Sequence, residues 1–132
     1  MKAWAAALLA LALAGCAGAP PACGPGLQAM VSDVLYFGTA RPQGSVSDAQ
    51  FAAFVDDAVT PRFPDGLTLW RAKGQWRARD GRIVAEGSHV LNVVHAGDER
   101  SERAVAQIVS AYKSRFDQES VLRVKGAACV SF

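Results

Sequence analysis

The period at which apolar residues recur changes several times along the chain, and each change marks an element. Val34-Leu35-Tyr36-Phe37-Gly38-Thr39 is a β-branched and aromatic run, which predicts a first strand. RPQGSVS follows as a loop. Ser47 and Gln50 have the spacing of a capping box, a hydroxyl and an amide that satisfy each other's backbone N–H groups at a helix start. Behind it Phe51, Phe54, Val55, Ala58 and Val59 fall on one helical stripe. Pro61 ends that helix, because the residue before a proline avoids the α region. TPRFPDG, residues 60–66, is a stiff loop with a Pro-Asp-Gly turn signal. Leu67 to Ala78 reads as extended, with Gly74 expected at a bulge. Asp80-Gly81 predicts a two-residue turn of type I′, and Ile83 to His95 a long strand, so 67–95 is a hairpin. Asp98 to Phe116 is a second helix. Its inner face is Val105, Ile108, Val109, Tyr112 and Phe116, and Asp98, Glu99 and Glu102 lie near its positive end. Ser120 to Phe132 closes with a strand in which Leu122, Val124, Val130 and Phe132 share a face.

The order β-α-β-β-α-β, with right-handed crossovers, gives an α+β fold: a ferredoxin-like antiparallel sheet with two helices on one face. The first strand then lies beside the last, antiparallel to it. Alternation from Val90 and Asn92 assigns Glu86, Ser88, Asn92, Arg123 and Lys125 to the open face, with Tyr36 among its apolar members, and expects Glu86 and Arg123 to form an ion pair there. Such a mixed face is either solvated or paired with a second copy.

Composition changes this picture at one end. The chain of 132 residues is 51% hydrophobic, enough for one small domain. Met1-Lys2 is followed by an uncharged apolar run, Ala3 to Ala14. One positive residue and then about a dozen apolar ones have the form of a signal peptide, too short to span a hydrocarbon core. Leu13-Ala14-Gly15-Cys16 resembles the lipobox of bacterial lipoproteins, which implies a thioether-linked lipid on Cys16 after removal of residues 1–15. Ala12-Leu13-Ala14 also offers an ordinary cleavage pattern. Residues 16–31 are expected as a tether and 32–132 as the folded domain. Ala17, not Asp, follows Cys16, which implies the outer membrane, facing the periplasm, in a Gram-negative cell. With Cys16 committed to lipid, Cys23 and Cys129 remain as an even pair in an oxidising compartment. The topology also brings the start of the first strand to the end of the last. We expect a disulfide between them, which restricts the unfolded chain by ~4–5 kcal/mol in the loop-entropy model. Fourteen basic against twelve acidic residues, a net charge of +2, demand no nucleic acid, and export makes it a poor partner.

VLYFGTARPQGSVSDAQFAAFVDDAVTPRFPDGLTLWRAKGQWR, GRIVAEGSHVLNVVH and YKSRFDQESVLRVKGAACVSF are similar to a small bacterial family, domain of unknown function 3574, whose members are exported or lipid-anchored single-domain proteins. VTPRFPDGLT, GQWR and YKSRFDQESVLRV carry most of the resemblance. It supports the domain boundaries and the exported class, and it brings no reaction, cofactor or catalytic residue.

Candidate chemistry is sparse. His89 and His95, the two histidines, are ~20 Å apart if they share a strand, so they cannot share a metal. No metal-ligand spacing appears, and neither metal nor cofactor is expected. Glu86 and Ser88 share a face while His89 points to the other, which rules out a local Ser-His dyad. Thr60, Arg62 and Asp65 sit on the rigid loop. Each reads either as part of a surface site or as a partner for loop and helix-end backbone groups. Trp70, Arg71, Lys73, Trp76, Arg77, Arg79 and Arg82 place basic and aromatic residues on one hairpin. They suit phosphates such as lipid headgroups, or the charged edge that blocks aggregation. The candidate surface site is therefore Thr60, Arg62, Asp65, Glu86 and Arg123. The expected function is that of an envelope lipoprotein, a non-enzymatic binding or interaction module with a homodimer through the open sheet face. The alternative is a small periplasmic enzyme of dimeric α/β-barrel type using Glu86 or Arg62 and Asp65.

Overall fold

In the computed structural model, which describes residues 22–132, β1 (Gln28–Gly38) pairs with two neighbours and forms the middle of the sheet. A two-residue ladder follows, β2 (Ala40–Arg41) with β3 (Gly44–Ser45). Then come α1 (Asp48–Phe54), a π-helical turn over Val55–Val59, β4 (Thr68–Arg77), β5 (Ile83–His95), α2 (Glu99–Phe116) and β6 (Leu122–Val130). The four long strands are antiparallel in the order β4-β5-β1-β6. With both helices on one face this is the ferredoxin-like arrangement expected from the element order. No helix among the described residues is long and apolar enough to cross a membrane.

The helix starts form as the sequence predicts. Ser47 Oγ accepts from Gln50 N at 3.2 Å and Gln50 Oε1 from Ser47 N at 3.0 Å, completing the capping box. Asp98 Oδ1 accepts from Ser101 N at 2.8 Å at the head of α2. The two apolar stripes close on the sheet over Leu35, Phe37, Leu91 and Val93, all essentially inaccessible. Tyr112 is the hub, with ring centroids 4.6 Å from Phe37, 5.2 Å from Phe54 and 4.8 Å from Phe116. Its hydroxyl donates to the Gly38 carbonyl at 2.9 Å, which satisfies the one polar atom in this aromatic core.

The structure corrects several local expectations. β1 starts at Gln28, inside the expected tether, because Gln28 to Tyr36 pair residue for residue with Val130 to Leu122. Tertiary pairing supplies what the weak local propensity of Gln-Ala-Met does not. Gly74 is no bulge, since it lies opposite Glu86 in an unbroken ladder. The hairpin turn is not type I′. Gly81 N donates to Ala78 O at 2.9 Å, and only Gly81, at φ 87°, is left-handed there. That is a type I turn followed by a glycine in αL, the three-residue hairpin loop.

Cys23 and Cys129 are joined in a disulfide, with Cα atoms 5.5 Å apart. It ties the segment entering β1 to the end of β6. Cys16 and the expected signal peptide lie outside the described residues.

Candidate functional site

Side chains of directly opposed residues share a sheet face. Arg123 lies opposite Leu35 and Lys125 opposite Asp33, so both point to the helix side. The expectation that they share the open face with Glu86 is wrong, and so is the Glu86–Arg123 pair. Leu122, Val124 and Val130 do share a face, as expected, and it is the open one.

Instead, Arg123 belongs to a polar cluster beside α2. Its Nε and Nη2 donate to Asp33 Oδ1 and Oδ2, both at 2.6 Å, and Nη2 also reaches Glu102 Oε2 at 3.0 Å. Lys125 Nζ donates to Glu102 Oε1 at 2.5 Å. His95 Nε2 is 2.8 Å from Asp33 Oδ2, and Gly97 N donates to His95 Nδ1 at 3.0 Å. Nδ1 is thus the acceptor and Nε2 carries the proton given to Asp33. Burial alone would push the fully inaccessible Asp33 carboxyl up. The bonds from Arg123 and then His95 outweigh it and hold the group below the usual carboxylate range. Asp33, His95 and Glu102 are close enough to share a cation, but Arg123 and Lys125 already occupy their oxygens.

The open face is nearly free of charge. Leu122, Tyr36, Val90 and Trp70 form one row across all four strands, and Val124, Val34, Asn92 and Thr68 form the next. Ser32 and Val94, then Gly38, Ser88 and Ala72, extend it in both directions. Leu122 is 60% exposed, Val124 49% and Trp70 44%. Among the described residues of the ladder, Glu86 is the only charged side chain on this face. The basic and aromatic residues of β4 are therefore not interleaved in one patch. Alternation sends Trp70 and Trp76 to the open face and Arg71, Lys73 and Arg77 to the other.

Glu86 stands at the end of this face, where β1 stops and the β4–β5 hairpin runs on. Ala40 N donates to its Oε2 at 2.6 Å. A Cβ on Gly38 would press on this carboxylate, the movable end of the Glu86 side chain, so a larger residue there displaces Glu86 from Ala40 N. Around it lies a notch of about 210 Å³ walled by Tyr36, Trp76, Gln118 and Leu122. The Trp76 indole N–H, buried there, has no hydrogen-bond partner.

On the other side of the sheet a cleft of about 660 Å³ opens between the start of α1 and β4–β5. Arg71, Lys73, Ser45, Ser47, Asp48 and His89 line it. The His89 ring stacks on Phe51 at 3.9 Å and 5°, and its Nε2 is 3.7 Å from Asp48 Oδ1. Burial, and then the charge of Arg71, pushes its pKa below the ordinary imidazole value. Arg71 contacts Asp48. The sequence pointed to no role for His89. Its one signal was odd-numbered register with Leu91 and Val93, which places it facing α1.

Among the described residues, no side-chain hydrogen bond or ion pair joins any two of the five expected site residues. Arg62 Nη1 donates to Ala58 O at 2.7 Å and Nε to Gln107 Oε1 at 3.0 Å, so it closes the helix end and joins it to α2. Thr60 and Asp65 are exposed and line neither the notch nor the cleft.

The model of a family described as a protein of unknown function (DUF3574) matches residues 32–132. The chain belongs to this family. Among curated proteins, none matches it by sequence. The family's fold has solved counterparts. A phage SAM lyase in complex with S-methyl-5'-thioadenosine is 16% identical with a TM-score of 0.60, over 85% of this chain and 95% of that one. The apo state of a phage SAM lyase is 14% identical with a TM-score of 0.58, over 79% and 90%. At this identity the likeness is one of fold.

Proposed function

We propose that this protein is an exported lipoprotein, held to the cell envelope by lipid on Cys16, whose domain is an interaction module that pairs with a second copy through its open sheet face. One observation carries the reading: on a four-stranded face of a chain with balanced charge, Glu86 is the lone charged side chain among the described residues. A solvated antiparallel face is normally rich in charged residues; this one joins Leu122, Val124, Tyr36, Val34, Val90 and Trp70 to the uncharged Asn92, Thr68, Ser32 and Ser88. Four strands at ~4.8 Å and about ten residues at ~3.4 Å give roughly 600 Å² per copy. That approaches the ~800 Å² per partner of a standard interface. A second copy matches this face in size and in its lack of charge.

The test is sedimentation of the full protein extracted from membranes in detergent. A dimer is expected, and Tyr36→Lys or Leu122→Lys yields monomers that unfold at the same temperature. A wild type that stays monomeric at high concentration refutes the pairing. Mass spectrometry of the same sample reads the acyl groups on Cys16, and an unmodified thiol there refutes the anchor.

A second reading, a small enzyme, draws on the Glu86 notch and on the fold it shares with a SAM lyase. Glu86 supplies a fixed carboxylate beside an unpartnered indole donor, suited to a small organic cation. Arg62 and Asp65 drop out of that reading, since they line neither the notch nor the cleft. Incubation with S-adenosylmethionine, followed by chromatography for S-methyl-5'-thioadenosine, decides it: turnover lost in Glu86→Gln supports the enzyme, and no turnover leaves the interaction module.

A further inference from the structure

We propose that the cleft on the helix side, between the start of α1 and β4–β5, binds a solute bearing a phosphoryl group. It lies on the opposite side of the sheet from the face discussed above and does not depend on it. Its volume of about 660 Å³ falls within the ~300–1,000 Å³ of small-molecule sites.

The donors are arranged for a multidentate oxyanion. Arg71 and Lys73 are successive helix-side positions of β4, so both cations lean into the same cleft. Lys73 has no ion-pair partner among the described residues. Ser47 Oγ accepts from Gln50 N, which leaves its own proton free to donate, and Ser45 lines the cleft beside it. Asp48 is the one acid in the lining, and it rests against Arg71. His89 forms the floor as a fixed, neutral ring stacked on Phe51. A guanidinium fork, an ammonium and hydroxyl donors from a second direction match the three acceptor oxygens of a phosphoryl group better than a planar carboxylate. The incoming anion takes Arg71 from Asp48. The cleft lies at the Gly38 end of β1, ten residues and ~33 Å along the strand from the end beside the disulfide. A ligand from solution reaches it more readily than a headgroup at the anchored end.

The experiment is calorimetric titration of the full protein in detergent with inorganic phosphate and with glycerol 3-phosphate. Saturation is expected, weakened about tenfold in Lys73→Gln and in Arg71→Gln, as for loss of one charge-assisted contact. Arg79→Gln, on the hairpin turn, leaves it unchanged. Lys73 is exposed and unpaired, so its variant keeps the fold even if Arg71→Gln does not. A second readout is the His89 imidazole signal, which titrates at higher pH with phosphate bound. Absence of saturation up to ~10 mM, or equal binding by wild type and Lys73→Gln, overturns the proposal. Binding confined to phosphatidylglycerol vesicles overturns the assignment to a solute.

Discussion

The Arg123 guanidinium lies in a two-point contact on the Asp33 carboxylate, both bonds 2.6 Å long, across neighbouring strands and with Asp33 wholly inaccessible to solvent. The pair closes the edge of the core that β6 leaves uncovered by apolar side chains. Removing one partner strands the other: Arg123→Leu leaves a buried carboxylate with His95 alone. A loss of about 3 kcal/mol is expected, read as a lower denaturant midpoint with unchanged slope.

The same carboxylate sets an acid limit. Its folded pKa is depressed, so its stabilisation is fully present above the unfolded value of about 3.9 and disappears as pH falls through the folded one. Unfolding free energy measured at successive pH values is expected to drop most steeply below about pH 4. Arg123→Leu flattens that drop.

His89 acts at milder pH. Its folded pKa lies below the ordinary imidazole value of about 6.5, so the unfolded chain binds the extra proton first. Stability is full above pH 6.5 and declines as pH falls through the folded pKa. His89→Asn removes this slope between pH 7 and 5 while the steeper acid limit of Asp33 remains.

Gly38 and Glu86 form a close approach in which a methyl group has to push the carboxylate off Ala40 N. Gly38→Ala is expected to cost about 1 kcal/mol, the worth of the displaced hydrogen bond. In a Glu86→Ala background the same change costs much less. A double-mutant cycle by chemical denaturation measures the difference, and additivity of the two changes refutes the contact.

The Cys23–Cys129 bond constrains the unfolded chain over most of its length. Cys129→Ser, or reductant on the wild type, is expected to lower stability by about 2–5 kcal/mol. Thermal unfolding with and without dithiothreitol checks it, and the variant itself is insensitive to reductant.

These expectations divide by what local pattern can reveal. The apolar stripes of α1 and α2, their capping residues and the extent of β5 are written in the sequence, because each depends on neighbours within one or two turns. The disulfide was also legible, since element order sets which ends meet. Glu86 and Ser88 were rightly kept apart from His89 by alternation alone. Arg123 was not legible. Period two says that Leu122 and Val124 oppose Arg123, but not which set faces the helices.

The sequence by itself determined the four long strands and two helices, their order, and so the ferredoxin-like sheet and the partner of Cys23, but not the β2–β3 ladder or the π-helical turn. Tertiary structure alone decided that Gln28 to Val31 join β1, that Arg123 meets Asp33 rather than Glu86, and that the open face keeps Glu86 as its one charged side chain among the described residues. The physical reason is register: shifting a strand by one residue exchanges its two faces entirely. That choice is fixed by pairing across β1, between residues as far apart in the chain as Leu35 and Arg123.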